Sequence, residues 1–287
     1  MQPPVADASS GNPRECVAAV ARPDWTVPMC RWIAYRGETI ALEHYVTSPA
    51  HSLIAQSLHA LESTASTNGD GFGLGWYGEH AEPGLYREVR PAWSDDNLRY
   101  LCRHIRSHLF FAHVRATTGT PVTRPNCHPF ACGRWLFMHN GVIGDWKRVR
   151  RQVEALIPDT LYGSRVGTTD SEAVFLAIMG AGIERDPVAA TTGIIAALAD
   201  IVKDEPLRFT AALSNGHDLY AFRFSVNDNS NSLYYDASGD EVVIVSEPLD
   251  DTPNRWKAVP PGHMVVARVG RPAEIAPFAA ERQVAAE

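Results

Sequence analysis

An α+β fold is the class this sequence predicts, on three observations. Strand-like apolar runs occur at 31–35, 109–114 and 135–143. Between and after them come stretches whose apolar residues recur at helical spacing, and from residue 209 onward the pattern is of short strands with polar turns. At 287 residues and 45% hydrophobic content the chain can bury a large core, roughly 75% of its unfolded surface if it is one domain. Periodicity alone does not dictate how these elements are layered.

Taken in order, residues 1–28 carry Pro3, Pro4, Pro13, Pro23 and Pro28 among Ser, Asn, Ala and Gly, with no helix or strand period. An unstructured stretch is expected there. A strand over 31–35 is followed by a turn at Gly37, and 42–48 reads as a short strand or irregular. Leu53, Ile54, Leu58 and Leu61 mark a helix over 52–61. Glycines at 69, 71, 73 and 75 then let one strand face approach another backbone or a ligand closely. No Gly-Lys-Ser/Thr ending supports a phosphate loop there.

A helix is predicted over 95–107, a buried strand over 109–114 running into a polar turn, and a second buried strand from 135 that breaks at Asn140-Gly141. Helices follow over 145–156, over 173–179 after an opening at 167–172, and over 187–202. Strands are expected at 209–214, 219–224, 233–236, 242–246 and 263–269, with a frayed Ala-rich tail after Pro277.

The net charge of −7 without a basic block argues against nucleic acid or an anionic membrane as partner. No apolar run reaches the eighteen or so residues of a membrane span, and 17–21 is too short for a signal-peptide core. Five cysteines at irregular spacing (Cys16, Cys30, Cys102, Cys127, Cys132) suit a reduced, cytoplasmic setting better than a disulfide framework.

Met29-Cys30 is the segment on which the chemistry turns. If Cys30 becomes residue one of the mature protein, its thiol (ordinary pKa about 8.5) and its α-amine (about 7.7–8.0) share one residue and exchange a proton near neutral pH. Nucleophile and base are then together, and no catalytic histidine is needed. Small residues after an initiator methionine permit its removal. Either translation starts at Met29, the reading preferred because nothing before it looks structured, or a propeptide is cut before Cys30. An uncleaved form lacks the base, because an amide nitrogen does not take a proton. Taken alone, Cys30 also reads as a buried strand cysteine.

Three further features carry binding or catalytic chemistry. Arg115, at the end of a buried strand, suits a two-pronged grip on a carboxylate, or a structural ion pair. Asn140 and Gly141 place an amide and a backbone N–H side by side, as an oxyanion requires, or as a hairpin turn does. Asp170 offers a carboxylate to a substrate ammonium, or caps a helix. A zinc site from Cys127, His128, Cys132 and His139 matches no usual ligand spacing, and nothing local specifies a papain-like pair using Cys127 or Cys102.

Met29-Cys30, His113-Val-Arg115-Ala-Thr-Thr118-Gly, His139-Asn140-Gly141 and Thr169-Asp170-Ser-Glu occur in that order. Together they resemble the class II glutamine amidotransferase domain of the N-terminal-nucleophile hydrolases, most closely its small stand-alone members that cut γ-glutamyl bonds. The resemblance implies a four-layer αββα sandwich of two antiparallel sheets over 30–270, preceded by an extension at 1–29 and followed by a tail at 271–287.

It further implies Cys30 as nucleophile, Arg115 and Thr118 on the α-carboxylate of a glutamyl group, and Asp170 on its ammonium with Gly141 near the same pocket. Asn140 and Gly141 would form the oxyanion hole, and the glycines at 71 and 73 would line the pocket. No cofactor or metal is expected. The expected substrate is a small γ-glutamyl amide, hydrolysed through a thioester. Two alternatives remain: a glutaminase subunit feeding ammonia to a separate synthase partner, and a catalytically silent binding protein of the same fold.

Overall fold

The computed structural model describes residues 29–62, 67–117, 119–226 and 230–278. The expected unstructured stretch at 1–28, Thr118 and most of the tail after Pro277 lie outside those residues. In chain order the elements are β1 (Arg31–Ala41), α1 (Glu43–Val46), α2 (Leu53–Leu58), β2 (Phe72–Trp76), β3 (Gly84–Glu88), α3 (Asp96–His104) and β4 (Arg106–Val114). Next come β5 (Phe130–Cys132), β6 (Trp135–Ile143), α4 (Trp146–Glu154), α5 (Asp159–Tyr162), α6 (Asp170–Gly180) and α7 (Pro187–Val202). The chain ends with β7 (Leu207–Ser214), β8 (Leu219–Ser225), β9 (Tyr234–Asp236), β10 (Val242–Val245), β11 (Lys257–Ala258), β12 (His263–Ala267) and β13 (Glu274–Pro277).

Side-chain caps start the main helices. Asp95 accepts from the Leu98 N–H at α3, and Thr169 from the Glu172 N–H at α6. Asp186 accepts from Val188 and Ala189 at α7, whose first residue is a proline with no N–H to satisfy.

The strands form two antiparallel sheets, ordered β11-β9-β10-β1-β4-β2-β3 and β13-β12-β8-β7-β6-β5. Strand alternation divides their side chains among three cores. Ile33, Tyr35, Phe110 and Ala112 pack outward against Tyr45, Leu53, Ile54 and Leu98 of α1 to α3. Trp32, Ala34, Phe111, Met138, Ala212 and Ala221 fill the space between the sheets. Phe137, Phe209 and Phe222 pack outward against Val149, Phe175 and Leu198 of α4, α6 and α7. The result is the four-layer αββα sandwich.

Several elements depart from the sequence reading. β6 does not break at Asn140-Gly141: it pairs with β7 without interruption from Leu136↔Ser214 to Ile143↔Leu207. Gly141 is needed for close approach, since a Cβ there would meet the Arg208 carbonyl oxygen at 2.1 Å and His139 Nε2 at 2.2 Å. β1 likewise passes through Gly37 with a register irregularity between Arg36 and Ile40 instead of turning. The stretch at 42–48 forms a short helix, and β13 pairs with β12, which carries the second sheet past residue 270.

Candidate active site

Cys30 immediately precedes β1, whose Arg31 lies opposite Val114 of β4, so the thiol falls beside the segment that leaves β4. Its Sγ accepts from the Ala116 N–H at 3.4 Å and lies 3.5 Å from the Ala116 carbonyl. The Cys30 carbonyl accepts from Asn140 Nδ2 at 2.8 Å and from Arg31 Nη1 at 3.0 Å. Burial pushes the thiol above its ordinary range, outweighing the Ala116 N–H and the Arg115 and Arg31 guanidinia that favour the thiolate. A base must therefore take its proton. In the full-length chain the nitrogen of Cys30 is committed to the peptide bond with Met29, whose carbonyl accepts from Asn68 Nδ2 at 3.1 Å.

Arg115 follows β4 and is 3% exposed. Its guanidinium donates to Thr120 Oγ1 at 2.5 Å, Thr117 Oγ1 at 3.1 Å, and the Pro121 and Asp70 carbonyls at 3.3 and 3.5 Å. All four acceptors are neutral, and no acidic side chain among the described residues forms an ion pair with it. Among the described residues the structural ion-pair alternative therefore finds no partner, and the buried guanidinium is held by neutral acceptors alone. Asp70 braces the same loop, its carboxylate accepting from the Thr117 N–H at 2.8 Å.

Asn140 faces the space between the sheets and joins the second sheet to Cys30, while its own carbonyl accepts from Asn231 Nδ2 at 3.0 Å. Asp170 is the first residue of α6 and not its cap, which is Thr169. Its carboxylate accepts from the Ser171 N–H at 2.8 Å and the Ile143 N–H at 3.4 Å, which ties it to the end of β6. No basic side chain pairs with it among the described residues. His139 is on the helix side of β6, with Nδ1 2.9 Å from Ser171 Oγ, and burial lowers its pKa against the pull of Asp170.

Direct contacts therefore gather Cys30, Asn140 and the segment after Arg115, and Asp170 and Gly141 join through β6. The glycine run takes backbone and not ligand at one position: a Cβ on Gly73 would stand 2.2 Å from the His128 carbonyl oxygen, because the 127–129 segment crosses that strand face. His128 stacks on His113 with ring centroids 4.4 Å apart, both buried, and no hydrogen bond reaches any of their four ring nitrogens. Cys127 Sγ instead faces the Glu88 and Thr123 carbonyls. Among the described residues no cluster of three or more His, Cys, Asp or Glu could hold a metal. Asp70, Arg31 and Glu247, which contact this cluster, were not given a role from the sequence, although Arg31 stands out as a charged residue in an apolar strand.

The chain matches the family described as class-II glutamine amidotransferases over residues 43–287. It belongs to the class II glutamine amidotransferases. As an amidotransferase it is 30% identical to a probable glutamine amidotransferase, DUG3, of Saccharomyces cerevisiae, over 81% of this chain and 80% of that one. It is also 30% identical to the gamma-glutamyl-hercynylcysteine sulfoxide hydrolase of Mycolicibacterium smegmatis, over 84% and 96%.

Among solved structures it is similar to a glutamine aminotransferase class-II domain protein of Silicibacter pomeroyi, with TM-score 0.69, 38% identity, and coverage of 88% of this chain and all of that one. The glutamine phosphoribosylpyrophosphate amidotransferase of B. subtilis, at 14% identity and TM-score 0.61 over 87% of this chain and 49% of that one, shares the fold. The amidotransferase is an amidohydrolase with the N-terminal-nucleophile sandwich, and Cys30 precedes the matched span. No helix among its described residues is long and apolar enough to cross a membrane.

Proposed function

We propose that this amidotransferase hydrolyses a small γ-glutamyl amide, with Cys30 as an amino-terminal nucleophile. The observation that carries the reading is the grouping of a half-buried thiol on the Ala116 backbone, the adjacent buried guanidinium of Arg115 without an anion, and Asn140 in contact with the nucleophile residue. A glutamyl head carries one carboxylate, one ammonium and one side-chain carbonyl. Arg115, with Thr118, meets the first, Asp170 the second, and Cys30 the third. The names of the curated relatives support the γ-glutamyl class.

In the mechanism, the free amine of Cys30 takes the thiol proton as sulfur attacks the γ-carbonyl. Asn140 Nδ2 and the Gly141 N–H stabilise the oxyanion. The proton passes to the leaving nitrogen as the C–N bond breaks, which leaves a γ-glutamyl thioester. Water, deprotonated by the same amine, then attacks the thioester to give glutamate and the free thiol. The scheme needs the Met29–Cys30 bond absent, whether through a start at Met29 with its removal or through cleavage of 1–29.

The test compares the full chain with a chain beginning at Cys30, measuring glutamate release from glutamine and from γ-glutamyl peptides. Release only by the shortened chain, lost in Cys30→Ala, is expected. Equal release by Cys30→Ala would overturn the mechanism. Glutamine turnover that appears only when a synthase is added would replace the hydrolase reading by that of an ammonia-supplying subunit.

A further inference from the structure

We propose that Arg31, clamped by Glu247, is the positioning residue of this active site: it holds the carbonyl of Cys30 from the outer side of the first sheet and sets a cation beside the nucleophile. The proposal rests on reading Cys30 as the terminal nucleophile.

Alternation along β1 sends residue 30 toward the space between the sheets and residue 31 the opposite way. Arg31 is nevertheless fully buried. Its Nε donates to Glu247 Oε2 at 2.8 Å, and its Nη1 to the carbonyls of Cys30 at 3.0 Å and Met29 at 3.4 Å. Nη2 is buried with no partner. Glu247 in turn accepts from the Leu61 N–H at 2.8 Å, the Glu62 N–H at 3.1 Å and His51 Nε2. Its carboxylate is thus held by three donors from two other segments, and Arg31 Nε is aligned by it.

A buried ion pair is a poor source of net stability, since apolar residues of similar volume serve as well. What an apolar pair does not supply is a rigid donor to the carbonyl of residue 30. When Met29 is absent its carbonyl is gone as well, and the new amine lies next to the guanidinium. A cation there lowers the pKa of both groups, so the amine stays a free base to lower pH, ready to take the thiol proton, and the attacking thiolate is stabilised. Arg115 acts on the thiol in the same sense from the β4 side, and Asp70 opposes both. Cys127 is a further titratable neighbour of Cys30. Glu247 partly screens Arg31, with His51 behind it.

The experiment uses the chain beginning at Cys30 and follows glutamate release from a γ-glutamyl peptide between pH 5 and 10, together with the rate of thiol alkylation by iodoacetamide. The double variant Arg31→Gln/Glu247→Gln removes both charges while keeping hydrogen-bonding groups, so it avoids stranding a buried carboxylate. It is expected to move the acid limb of kcat/KM up by roughly one pH unit and to lower kcat at neutral pH about tenfold, with KM within about twofold. Glu247→Gln alone leaves the cation unscreened and is expected to move the limb down. Arg31→Lys keeps the charge and loses the fork, so it should hold the limb near its original position while lowering kcat.

An active wild-type chain whose limb is unmoved in both the double variant and Glu247→Gln would overturn the role of Arg31 and leave the nucleophile reading intact. A wild-type chain that releases no glutamate would instead overturn that underlying reading.

Discussion

Replacing Arg115 by Met separates a binding cation from a structural one. In the free protein the guanidinium has two close side-chain contacts, to Thr117 and Thr120, and two longer ones to carbonyls. At about 1.5–3 kcal/mol per hydrogen bond to a charged group, the close pair contributes on the order of 3–6 kcal/mol. Against this stands the desolvation of a buried cation without a counter-ion, several kcal/mol in the opposite direction. The threonines also keep each other satisfied, since Thr117 Oγ1 donates to the Thr120 carbonyl at 2.9 Å. The net change in folding stability should therefore stay within about 2 kcal/mol, a Tm shift of less than about 8 °C.

Binding should respond quite differently. Loss of a two-pronged charge-assisted contact costs about 3–4 kcal/mol, or 10²–10³ in kcat/KM, expressed mainly in KM. Thermal unfolding with and without glutamate provides the assay. Wild type gains about 2.7 kcal/mol at a ligand concentration 100 times its Kd, and Arg115→Met should gain less than about 0.5 kcal/mol at that same concentration. The reasoning is refuted if the variant loses clearly more than that bound in the absence of ligand, the mark of a structural cation, or if it keeps the glutamate-induced rise.

Cys30→Ala in a chain beginning at residue 30 should lower turnover at least about 1,000-fold with Tm unchanged, as read from glutamate release and calorimetry. Gly73→Ala, which sets a Cβ against the His128 carbonyl, should cost about 1–3 kcal/mol in urea unfolding, whereas Gly78→Ala, with nothing within 4 Å, should stay within about 1 kcal/mol. Burial lowers the pKa of His113 to about 3 and pushes that of His128 well below its ordinary value, so the unfolded chain binds protons that the folded one refuses. Stability should fall as pH drops below about 6.5, by up to about 1.4 kcal/mol per pH unit for each imidazole, and His113→Phe should flatten that slope in urea titrations at pH 7, 6 and 5.

The long buried runs at 31–35, 109–114 and 135–143 were legible because both faces of each strand are covered, one by the second sheet and one by helices. Such strands carry uninterrupted apolar sequence. The helix over 187–202 was legible from the helical spacing of its apolar residues, and its Asp186 cap and leading proline agree with that start. What escaped was β3, β5, β11 and β13, all short and on or near sheet edges, where one side is solvated and little apolar pattern accumulates. Asn140-Gly141 misled because its turn propensity is local, whereas β7 pairs with it across eight positions and overrides it.

For the site, Cys30, Arg115, Asn140 and Asp170 were readable as residue types suited to a chemistry, but their partners were not. Arg115 ends in four neutral acceptors, and Glu247 lies 216 residues from the arginine it holds. Neither fact leaves a trace in local spacing.

One strand reconciles these facts. At the start of β1 the period of two gives adjacent residues opposite duties. Residue 30 enters the cleft between the sheets, where Asn140 of the second sheet reaches its carbonyl. Residue 31 goes outward to an ion pair that reaches the same carbonyl from behind. The proposed nucleophile residue is thereby held through its carbonyl from both sides of the first sheet. A slip of one residue would exchange thiol and guanidinium, and the pairing of Ile33 with both Val245 and Ala112 in the middle of the sheet opposes it. If Cys30 is the terminal residue proposed above, this pairing ties down a chain end that would otherwise fray.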